Sequence, residues 1–420
     1  LLQPLDPLRA AAMTSAIPAA GHTPPSTANA AVRRYDRAEL LALYLEEPLP
    51  ALGQRASETC QSLHPEDYRT YVVDRNINYA NWCTARCLFC NFKADPPDAP
   101  TSRPGLGEGY TLSFEEIGRK IQELLEIGGT QVLMQGGLAP AEGTVGLPFS
   151  WYLDLLRFIK RNYPTVHVHA FSPPEIFAFH RNFGMSIHDV LCRLREAGLE
   201  SVPGGGAEIL SDRVRRRISV GKTTTTEWLE VMRQCHILGM KTSCTMMFGH
   251  IETVEERLQH LELLRDLQDE AAARGNGGGF SAFICWPFQP YGTPLGRVPA
   301  LPEPPDDPTE QPAARPRRPL NDGRHLLLAD AHEYLRMTAV ARLALDNIPN
   351  LQSSWVTMGP KIGQLALFFG ANDMGSVMME ENVVSAAGTT FRLNESEIRR
   401  LIADAGWRPQ KRDFYYRPLP

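Results

Sequence analysis

The chain alternates short apolar strands with helices that begin at a capping signal, and this alternation narrows the folds open to it. In Ser113-Phe114-Glu115-Glu116, the serine and the second glutamate can each bond the other's backbone N–H, which starts a helix. Gly128-Gly129 can end that helix, and residues 130–135 are an apolar run typical of a buried parallel strand. Further strands are expected at 71–79, 166–171, 199–202, 241–248, 280–286, 352–356 and 370–373, and further helices at 150–162, 186–197, from Thr224, and at 254–269, 324–347, 360–369 and 395–405. This pattern predicts an α/β fold, a parallel (βα) TIM-type barrel of eight units.

Composition divides the chain into five segments. Residues 1–33 are rich in Ala, Pro, Ser and Thr without periodicity, which predicts a disordered N-terminal extension. Residues 34–69 are expected to form a helical lead-in to a barrel core at 70–293. The proline-rich stretch 294–320 predicts an exposed, mobile insertion, because proline continues neither a helix nor a central strand. Residues 321–420 are expected to complete the barrel and add a terminal helix.

Three cysteines, Cys83, Cys87 and Cys90, lie within eight residues directly after the first predicted strand. Thiolates are the usual ligands of iron–sulfur clusters, and a fourth ligand is normally required. No fourth cysteine follows nearby in the sequence, so one iron would stay open to substrate or cofactor, as in catalytic metal sites. A zinc site is the alternative, but the sequence shows no second C-x2-C and no histidine pair of the usual spacing. The spacing therefore favours a cluster with one open iron.

The composition argues against several classes of function. The net charge of −5 is unfavourable for a nucleic-acid partner or an anionic membrane surface. No apolar run approaches the length of a membrane span, and the first residues lack the basic and apolar regions of a secretory signal. We therefore expect a cytoplasmic protein. The five other cysteines are expected to be reduced and buried, not joined in disulfides.

Polar residues follow several predicted strands, at the end of a barrel where chemistry gathers. His169 and His250 are candidate catalytic residues, expected to point into the barrel mouth, although a lone histidine on a strand is more often part of the core. Glu175 is a candidate catalytic base or hydroxyl acceptor, or alternatively a helix cap. The arginines at 213, 215, 216 and 217 predict a solvated helix face.

The motif C-x3-C-x-aromatic-C, in which Phe89 is the aromatic residue, resembles the signature of the radical S-adenosylmethionine (SAM) enzymes. The resemblance implies a 4Fe–4S cluster held by Cys83, Cys87 and Cys90, with SAM chelated to the open iron. It also implies that SAM is cleaved to a 5′-deoxyadenosyl radical, which abstracts a hydrogen atom from the substrate. The expected barrel is then of the radical SAM type.

The same resemblance implies SAM-binding roles for residues at the strand ends. Gly136 and Gly137 match the glycine motif whose backbone holds the SAM amino group. Glu208 matches the carboxylate that contacts the SAM ribose, since a carboxylate can accept two hydroxyl hydrogen bonds. The alternative for Glu208 is an acid that stabilises a helix N-terminus. Ser172 is grouped with these cofactor-binding residues, and one residue of the arginine run is a candidate partner of the SAM carboxylate.

Longer motifs narrow the resemblance to the dehypoxanthine futalosine cyclases, radical SAM enzymes of the futalosine route to menaquinone. These motifs are Asp74–Tyr79, His169–Glu175, Pro203–Leu210, Thr245–His250 and Ala344–Asn350. One departure is Asn91-Phe92-Lys93, where that family usually has Ala-Phe-Tyr, but it leaves the cluster ligands unaltered.

This resemblance implies a reaction and a set of partners. The substrate would be dehypoxanthine futalosine, whose ribose C4′ hydrogen is abstracted before a ring closes onto the benzoate. We therefore expect a radical SAM oxidoreductase or cyclase that requires an electron donor and has no nucleic-acid partner and no membrane span. Two alternatives remain open. Aminofutalosine synthase shares the cluster motif, and a non-catalytic iron–sulfur protein would need no glycine-rich SAM motif.

Overall fold

The computed structural model describes residues 33–98, 108–300, 324–380, 382 and 385–420. These residues belong to one unit, Arg33–Pro420. The predicted extension at 1–33, apart from Arg33, lies outside the described residues, and so does most of the predicted insertion at 294–320. The described start of that insertion contains a single 3-10 turn, Leu295–Arg297.

Thirteen α-helices occur in the described part of the chain, and many of them begin at a capping box. The boxes predicted at Ser113, Thr224 and Thr253 are present, so the capping signals in the sequence are confirmed. The helices are α1 (Arg37–Glu46), α2 (Leu49–Leu63), α3 (Phe114–Glu126), α4 (Phe149–Asn162), α5 (Pro173–Phe183), α6 (Ile187–Ala197), α7 (Asp212–Ile218), α8 (Thr225–Ile237), α9 (Val254–Arg274), α10 (Ala331–Ala344), α11 (Trp355–Met358), α12 (Pro360–Leu365) and α13 (Glu395–Asp404).

The strands form one large parallel sheet and one small antiparallel ribbon. The sheet has ten strands in the order β12-β1-β11-β10-β9-β8-β6-β5-β4-β2, and the ribbon pairs β3 with β7. The strands are β1 (Tyr68–Val72), β2 (Asp74–Ile77), β3 (Arg86–Cys87), β4 (Gln131–Met134), β5 (His167–Ala170), β6 (Ser201–Val202), β7 (Ser219–Val220), β8 (Lys241–Phe248), β9 (Gly279–Pro287), β10 (Asn350–Gln352), β11 (Asp373–Ser376) and β12 (Arg408–Lys411).

The sheet closes into a barrel through its first two strands. Only Val73 separates β1 from β2, so together they act as one bent strand. On one side β1 pairs with β11, where Thr70 lies opposite Asp373. On the other side β2 pairs with β4, where Asp74 lies opposite Gln131. The ring therefore runs through β1–β2, β4, β5, β6, β8, β9, β10 and β11, and the predicted parallel TIM-type barrel is confirmed.

Several element boundaries differ from those expected from the sequence, and two of them have a clear physical reason. The strand predicted at 352–356 ends at Gln352, and α11 begins at Trp355. The Trp355 indole is buried and donates to the Ser376 carbonyl at 3.0 Å, so tertiary packing overrides the strand preference of an aromatic residue. The helix predicted at 324–347 begins only at Ala331, where Asp330 caps it.

Strand β12 was not predicted, and the chain after it closes the bottom of the barrel. Pro409 is tolerated in β12 because this strand lies at an edge and pairs only with β1. After β12, the ring of Phe414 stacks on His167 at 4.3 Å between centroids and lies 4.8 Å from His169. Both histidines belong to β5. We call residues 412–416 the floor segment, since they lie against the amino-terminal part of the strands.

The predicted helical lead-in consists of α1 and α2, which pack against α9 and α10 outside the barrel. A buried group of polar side chains ties these helices together, because Arg257 donates to Glu333 at 2.6 Å and to the Tyr44 hydroxyl at 2.7 Å. Each helix that the structure describes is too short or too polar to cross a membrane.

Candidate active site

The cysteine loop, residues 83–90, lies beyond the carboxyl end of β2 and is held from several directions. Within it, β3 pairs with β7, which follows α7. Cys83 and Cys87 are buried, whereas Cys90 is partly exposed. Backbone hydrogen bonds fix the loop to three other segments, from Cys83 N to Ala94 O (2.9 Å), from Thr84 N to Leu138 O (3.0 Å) and from Leu88 N to Ile218 O (2.8 Å).

The surroundings of the three thiols fit a positively charged inorganic group. Burial raises the pKa of Cys83, and it raises the pKa of Cys87 to about 12. Lys222 favours both thiolates, and the Leu138 N–H lies 3.3 Å from Cys83 Sγ. Among the described residues, no group of three or more His, Cys, Asp or Glu side chains converges to hold a single metal ion. Three separate thiols are the donor set of a 4Fe–4S cluster, whose positive irons stabilise buried thiolates.

The glycine loop after β4 approaches the cysteine loop so closely that no side chain fits. A Cβ on Gly137 would lie 2.1 Å from the Trp82 carbonyl oxygen and 3.0 Å from Cys83 Cβ. A Cβ on Gly136 would lie 2.4 Å from the ring of Tyr79. The two glycine N–H groups already donate to Glu175 and to Ala80 O, so glycine at both positions leaves backbone carbonyls beside the thiols for a ligand that donates hydrogen bonds.

Glu175, together with Ser172, fixes the position of this glycine loop through a hydrogen bond from the Gly136 N–H. Ser172 caps α5, and the two residues form a capping box in which Glu175 accepts from Ser172 N at 2.7 Å. The same carboxylate accepts from Gly136 N at 3.0 Å and from the Tyr79 hydroxyl. Burial raises the pKa of Glu175, while these donors lower it. The helix-cap alternative considered for Glu175 thus describes its position, and its contacts extend to the glycine loop.

Glu208 lies in the loop between β6 and α7 in an unusual backbone conformation. Its φ of 43° is left-handed, a strained state that clusters at functional sites. Oε1 accepts from Lys222 Nζ at 2.9 Å, and Oε2 accepts no hydrogen bond from any described residue. Arg215 Nη1 lies 3.7 Å from Oε2. The N-cap of α7 is Ser211, so Glu208 is not the acid at a helix N-terminus that was the alternative.

The arginine run is only partly the solvated face that was predicted. Arg216 and Arg217 are exposed. Arg215 is buried, and the prediction of a solvated face is wrong for it, because its guanidinium is satisfied by carbonyl groups. It donates to Gly206 O at 3.0 Å and to Thr223 O at 2.8 Å. Arg215 therefore supports the backbone of the loop that carries Glu208.

A cavity of about 290 Å³ occupies the barrel interior. Of the site residues predicted from the sequence, His169 and Glu208 are among those that line it. Gly136, Gly137, Ser172 and Glu175 lie around the cysteine loop, and His250 lies in the buried core. Lys222 connects the two regions, since it bonds to Glu208 and attracts the Cys87 thiolate.

His169 stands in the cavity wall as a neutral imidazole. Burial lowers its pKa well below the usual range. Its Nδ1 lies 2.7 Å from Ser201 Oγ and its Nε2 lies 3.3 Å from Ser243 Oγ. A neutral ring between two hydroxyls can accept or donate a hydrogen bond, depending on its tautomer.

His250 does not point into the barrel mouth as expected. Its side chain is fully buried, with Nδ1 2.7 Å from Glu252 and Nε2 3.0 Å from the Met247 carbonyl. Glu252 in turn pairs with Arg257. Gly249, with a φ of 91°, turns the chain away from the cavity at this point, so His250 faces the surrounding helices.

Several cavity residues were missed from the sequence. Asp74, Gln131 and Arg412 line the cavity, and Lys222 lies beside the cysteine loop. Asp74 could have been predicted, because Asp74, Asn76 and Asn78 alternate along the strand and such alternation indicates a polar inner face. Arg412 and Lys222 had none, since their positions follow from how distant segments pack together.

Two family models match the chain. The model of the radical SAM superfamily matches residues 77–264, and that of the CofH/MqnC C-terminal region matches residues 324–420. The first covers the cysteine loop, the glycine loop and Glu208, and the second covers the floor segment.

Curated relatives match over nearly the whole chain. A cyclic dehypoxanthine futalosine synthase of Halalkalibacterium halodurans is 41% identical over 91% of both chains. One from Streptomyces coelicolor is 37% identical over 91% of this chain and 84% of its own. A 5-amino-6-(D-ribitylamino)uracil–L-tyrosine 4-hydroxyphenyl transferase of Methanosarcina mazei is 36% identical over 90% of this chain and 89% of its own.

Solved structures agree on the fold. Methylornithine synthase matches with a TM-score of 0.61 at 17% identity, over 90% of this chain and 94% of that one. The FeFe-hydrogenase maturase HydG from Carboxydothermus hydrogenoformans matches with a TM-score of 0.64 at 14% identity, over 92% and 78%.

Radical SAM enzymes use a 4Fe–4S cluster and SAM, so the expectation of these two cofactors is confirmed by the family, and the thiols and the glycine loop fit them. The expectation of an enzyme is confirmed on the same ground, which removes the non-catalytic iron–sulfur protein as an alternative. The chain belongs to the radical SAM superfamily and, within it, to the family that includes the cyclic dehypoxanthine futalosine synthases.

Proposed function

We propose that this chain converts dehypoxanthine futalosine to its cyclic product in menaquinone biosynthesis. The observation that carries the proposal is the 41% identity to a cyclic dehypoxanthine futalosine synthase over 91% of both chains. The barrel interior supports it, since a cavity of about 290 Å³ whose mostly apolar wall carries a few polar side chains suits a small-molecule substrate.

All of the predicted site residues except His250 have a proposed role. Cys83, Cys87 and Cys90 hold the cluster, which together with SAM supplies a radical that abstracts hydrogen. The backbone of Gly136 and Gly137 bonds to the SAM amino group.

Glu208 and His169 face the ligands directly. Glu208 accepts from the SAM ribose through Oε2, the oxygen to which no described residue donates. His169 contacts the substrate from the cavity wall as a neutral imidazole, whose two ring nitrogens lie beside Ser201 Oγ and Ser243 Oγ.

Glu175 and Ser172 act as positioning residues through the glycine loop, because the Glu175 carboxylate is occupied by Gly136 and its own helix cap. We propose no contact between His250 and the substrate, and a catalytic role for it stays a prediction.

The proposed reaction balances without an added oxidant. The substrate loses the C4′ hydrogen atom, and after ring closure it loses one electron and one proton. The released electron equals the one that SAM cleavage consumes, so an external electron donor is needed only to start or restore the cluster. The barrel wall excludes water from the cavity and holds the reacting carbons close together.

A label experiment tests this function. The anaerobically reconstituted enzyme is incubated with SAM, a reductant and substrate deuterated at C4′. We expect deuterium in 5′-deoxyadenosine and a product lighter than the unlabelled substrate by two hydrogens. A Cys87→Ala variant serves as the control and should form neither product. Unlabelled 5′-deoxyadenosine would contradict the proposal.

Two other activities are separated by the same assay. Aminofutalosine synthase would join the adenosyl group to its substrate, giving an adduct in place of free 5′-deoxyadenosine. The similarity to the 4-hydroxyphenyl transferases favours a second candidate, which is tested by offering L-tyrosine with 5-amino-6-(D-ribitylamino)uracil. Turnover of that pair, without turnover of dehypoxanthine futalosine, would replace the proposed function.

A further inference from the structure

Asp74 and Gln131 form a pair of polar side chains in the cavity wall, away from the cysteine loop. They are direct neighbours across the β2–β4 pairing, and both line the cavity. Asp74 is 6% exposed and Gln131 is 5% exposed, so neither reaches bulk solvent. A group that enters the cavity meets both of them.

The hydrogen bond between the two fixes which atom of Gln131 is presented to a ligand. Gln131 Nε2 donates to Asp74 Oδ2 at 3.0 Å, as it must because a carboxylate only accepts. The amide oxygen Oε1 is left buried with no hydrogen-bond donor among the described residues. Buried polar atoms are rarely left unpaired, so this oxygen points to a ligand that donates a hydrogen bond.

The surrounding charges select a neutral ligand over an anion. Asp74 also accepts from Ser376 Oγ. The nearest cation, Arg412 of the floor segment, already pairs with Asp373. Two carboxylates thus oppose one guanidinium, which is unfavourable for a phosphate or carboxylate ligand. Acceptor atoms with excess negative charge suit hydroxyl groups.

We propose that Asp74 and Gln131 form a subsite for the sugar hydroxyls of the substrate. This inference rests on the proposed function, because the ribose is the hydroxyl-bearing part of dehypoxanthine futalosine. Gln131 Oε1 accepts from one hydroxyl, and Asp74 accepts from a neighbouring one. The subsite fixes which face of the sugar is turned toward the radical.

The test compares substrates with and without each hydroxyl. The wild-type enzyme, Gln131→Met and the control Gln364→Met, whose side chain bonds to Leu401 O on the outer helices, are assayed with the full substrate. Two analogues, each lacking one ribose hydroxyl, are assayed in parallel. We expect Gln131→Met to lower kcat/KM for the full substrate about tenfold, the cost of one lost hydrogen bond. It should also remove the preference for the full substrate over one analogue, while Gln364→Met keeps that preference.

Iron content and 5′-deoxyadenosine formation without substrate separate this role from misfolding. If Gln131→Met loses the cluster, Asp74→Asn provides the same comparison with little change in volume. Discrimination among the analogues that equals that of the wild type in a folded variant would overturn the subsite. A wild-type enzyme that does not turn over the full substrate would instead contradict the proposed function. In that case the same variants are compared with 5-amino-6-(D-ribitylamino)uracil and its deoxyribityl analogues, because the ribityl chain carries the hydroxyl groups of that alternative substrate.

Discussion

Lys222 and Glu208 show how one partly buried ion pair can serve two neighbouring ligand sites. Lys222 bonds to Glu208 at 2.9 Å and lies over the ring of Phe89, 5.4 Å from its centroid. Its positive charge favours the Cys87 thiolate as well as the Glu208 carboxylate. The side chain therefore couples the charge of the cysteine loop to that of the proposed ribose contact.

We predict that Glu208→Gln weakens SAM binding about tenfold or more, because a charged acceptor is lost and Lys222 is left without its partner. Equilibrium binding of SAM to the reconstituted enzyme measures this, with iron content checked separately. Glu256→Gln is the matched control. Glu256 pairs with Arg213 of α7, the helix that follows the Glu208 loop, but Glu256 does not line the cavity. Equal SAM affinity in the two variants would rule out the ribose contact.

At the residue scale, a prediction from sequence has its best support where a motif is local. The three cysteines and the glycine pair were recognisable because neighbouring positions in the chain carry the whole signal. Lys222 was not recognisable, since only the turn after β7 brings it to Glu208. His250 was placed wrongly because strand-end position alone does not determine which way a side chain turns after a glycine with positive φ.

At the scale of elements, the helix α5 is both a barrel helix and a support for the glycine loop. Its capping glutamate bonds to Gly136 as well as to its own N-cap. The capping box of α8 also has a glutamate at the third helical position, Glu227, but its N-cap is Thr224 and the glutamate makes no such extra contact. The two helices thus provide a natural comparison.

We predict that Glu175→Ala and Glu227→Ala each destabilise the fold by about 1 kcal/mol through loss of a cap, and that only Glu175→Ala weakens SAM binding. Thermal unfolding and SAM titration of both variants measure the two effects. If both variants bound SAM like the wild type, Glu175 would be a cap and nothing more.

Elements themselves were predictable where capping and apolar runs coincide, as in α3 with β4 and α9 with β9. Strand β12 was missed because its sequence, Arg408-Pro409-Gln410-Lys411, has no apolar alternation and is ordered only by pairing with β1. Such an edge strand is set by tertiary contacts, which a local pattern does not contain.

At the scale of the whole molecule, the core holds several histidines in the neutral state. Burial lowers the pKa of His236 and that of His260 to about 3 each. Both side chains are fully buried. Below an unfolded pKa of about 6.5, the unfolded chain therefore binds protons that the folded chain does not.

We predict that the free energy of unfolding falls as the pH is lowered from about 6.5 towards 3, by up to about 1.4 kcal/mol per pH unit for each such histidine. Denaturant unfolding at a series of pH values measures this. His236→Gln should flatten the profile, and His188→Gln, at an exposed position, should leave it unchanged. A profile equally steep in both variants would contradict the assignment.

The floor segment has a consequence for how the enzyme is made. Strand β1 is synthesised early, yet the strand that covers its edge, β12, and the residues that close the barrel below it come from the other end of the chain. While the ribosome translates the intervening residues, the nascent protein carries an open strand edge and an unsealed core, which are sites for wrong pairing with other chains. Arg412, Phe414 and Tyr416 line the cavity, so its wall is complete only after residues 412–416 have been added.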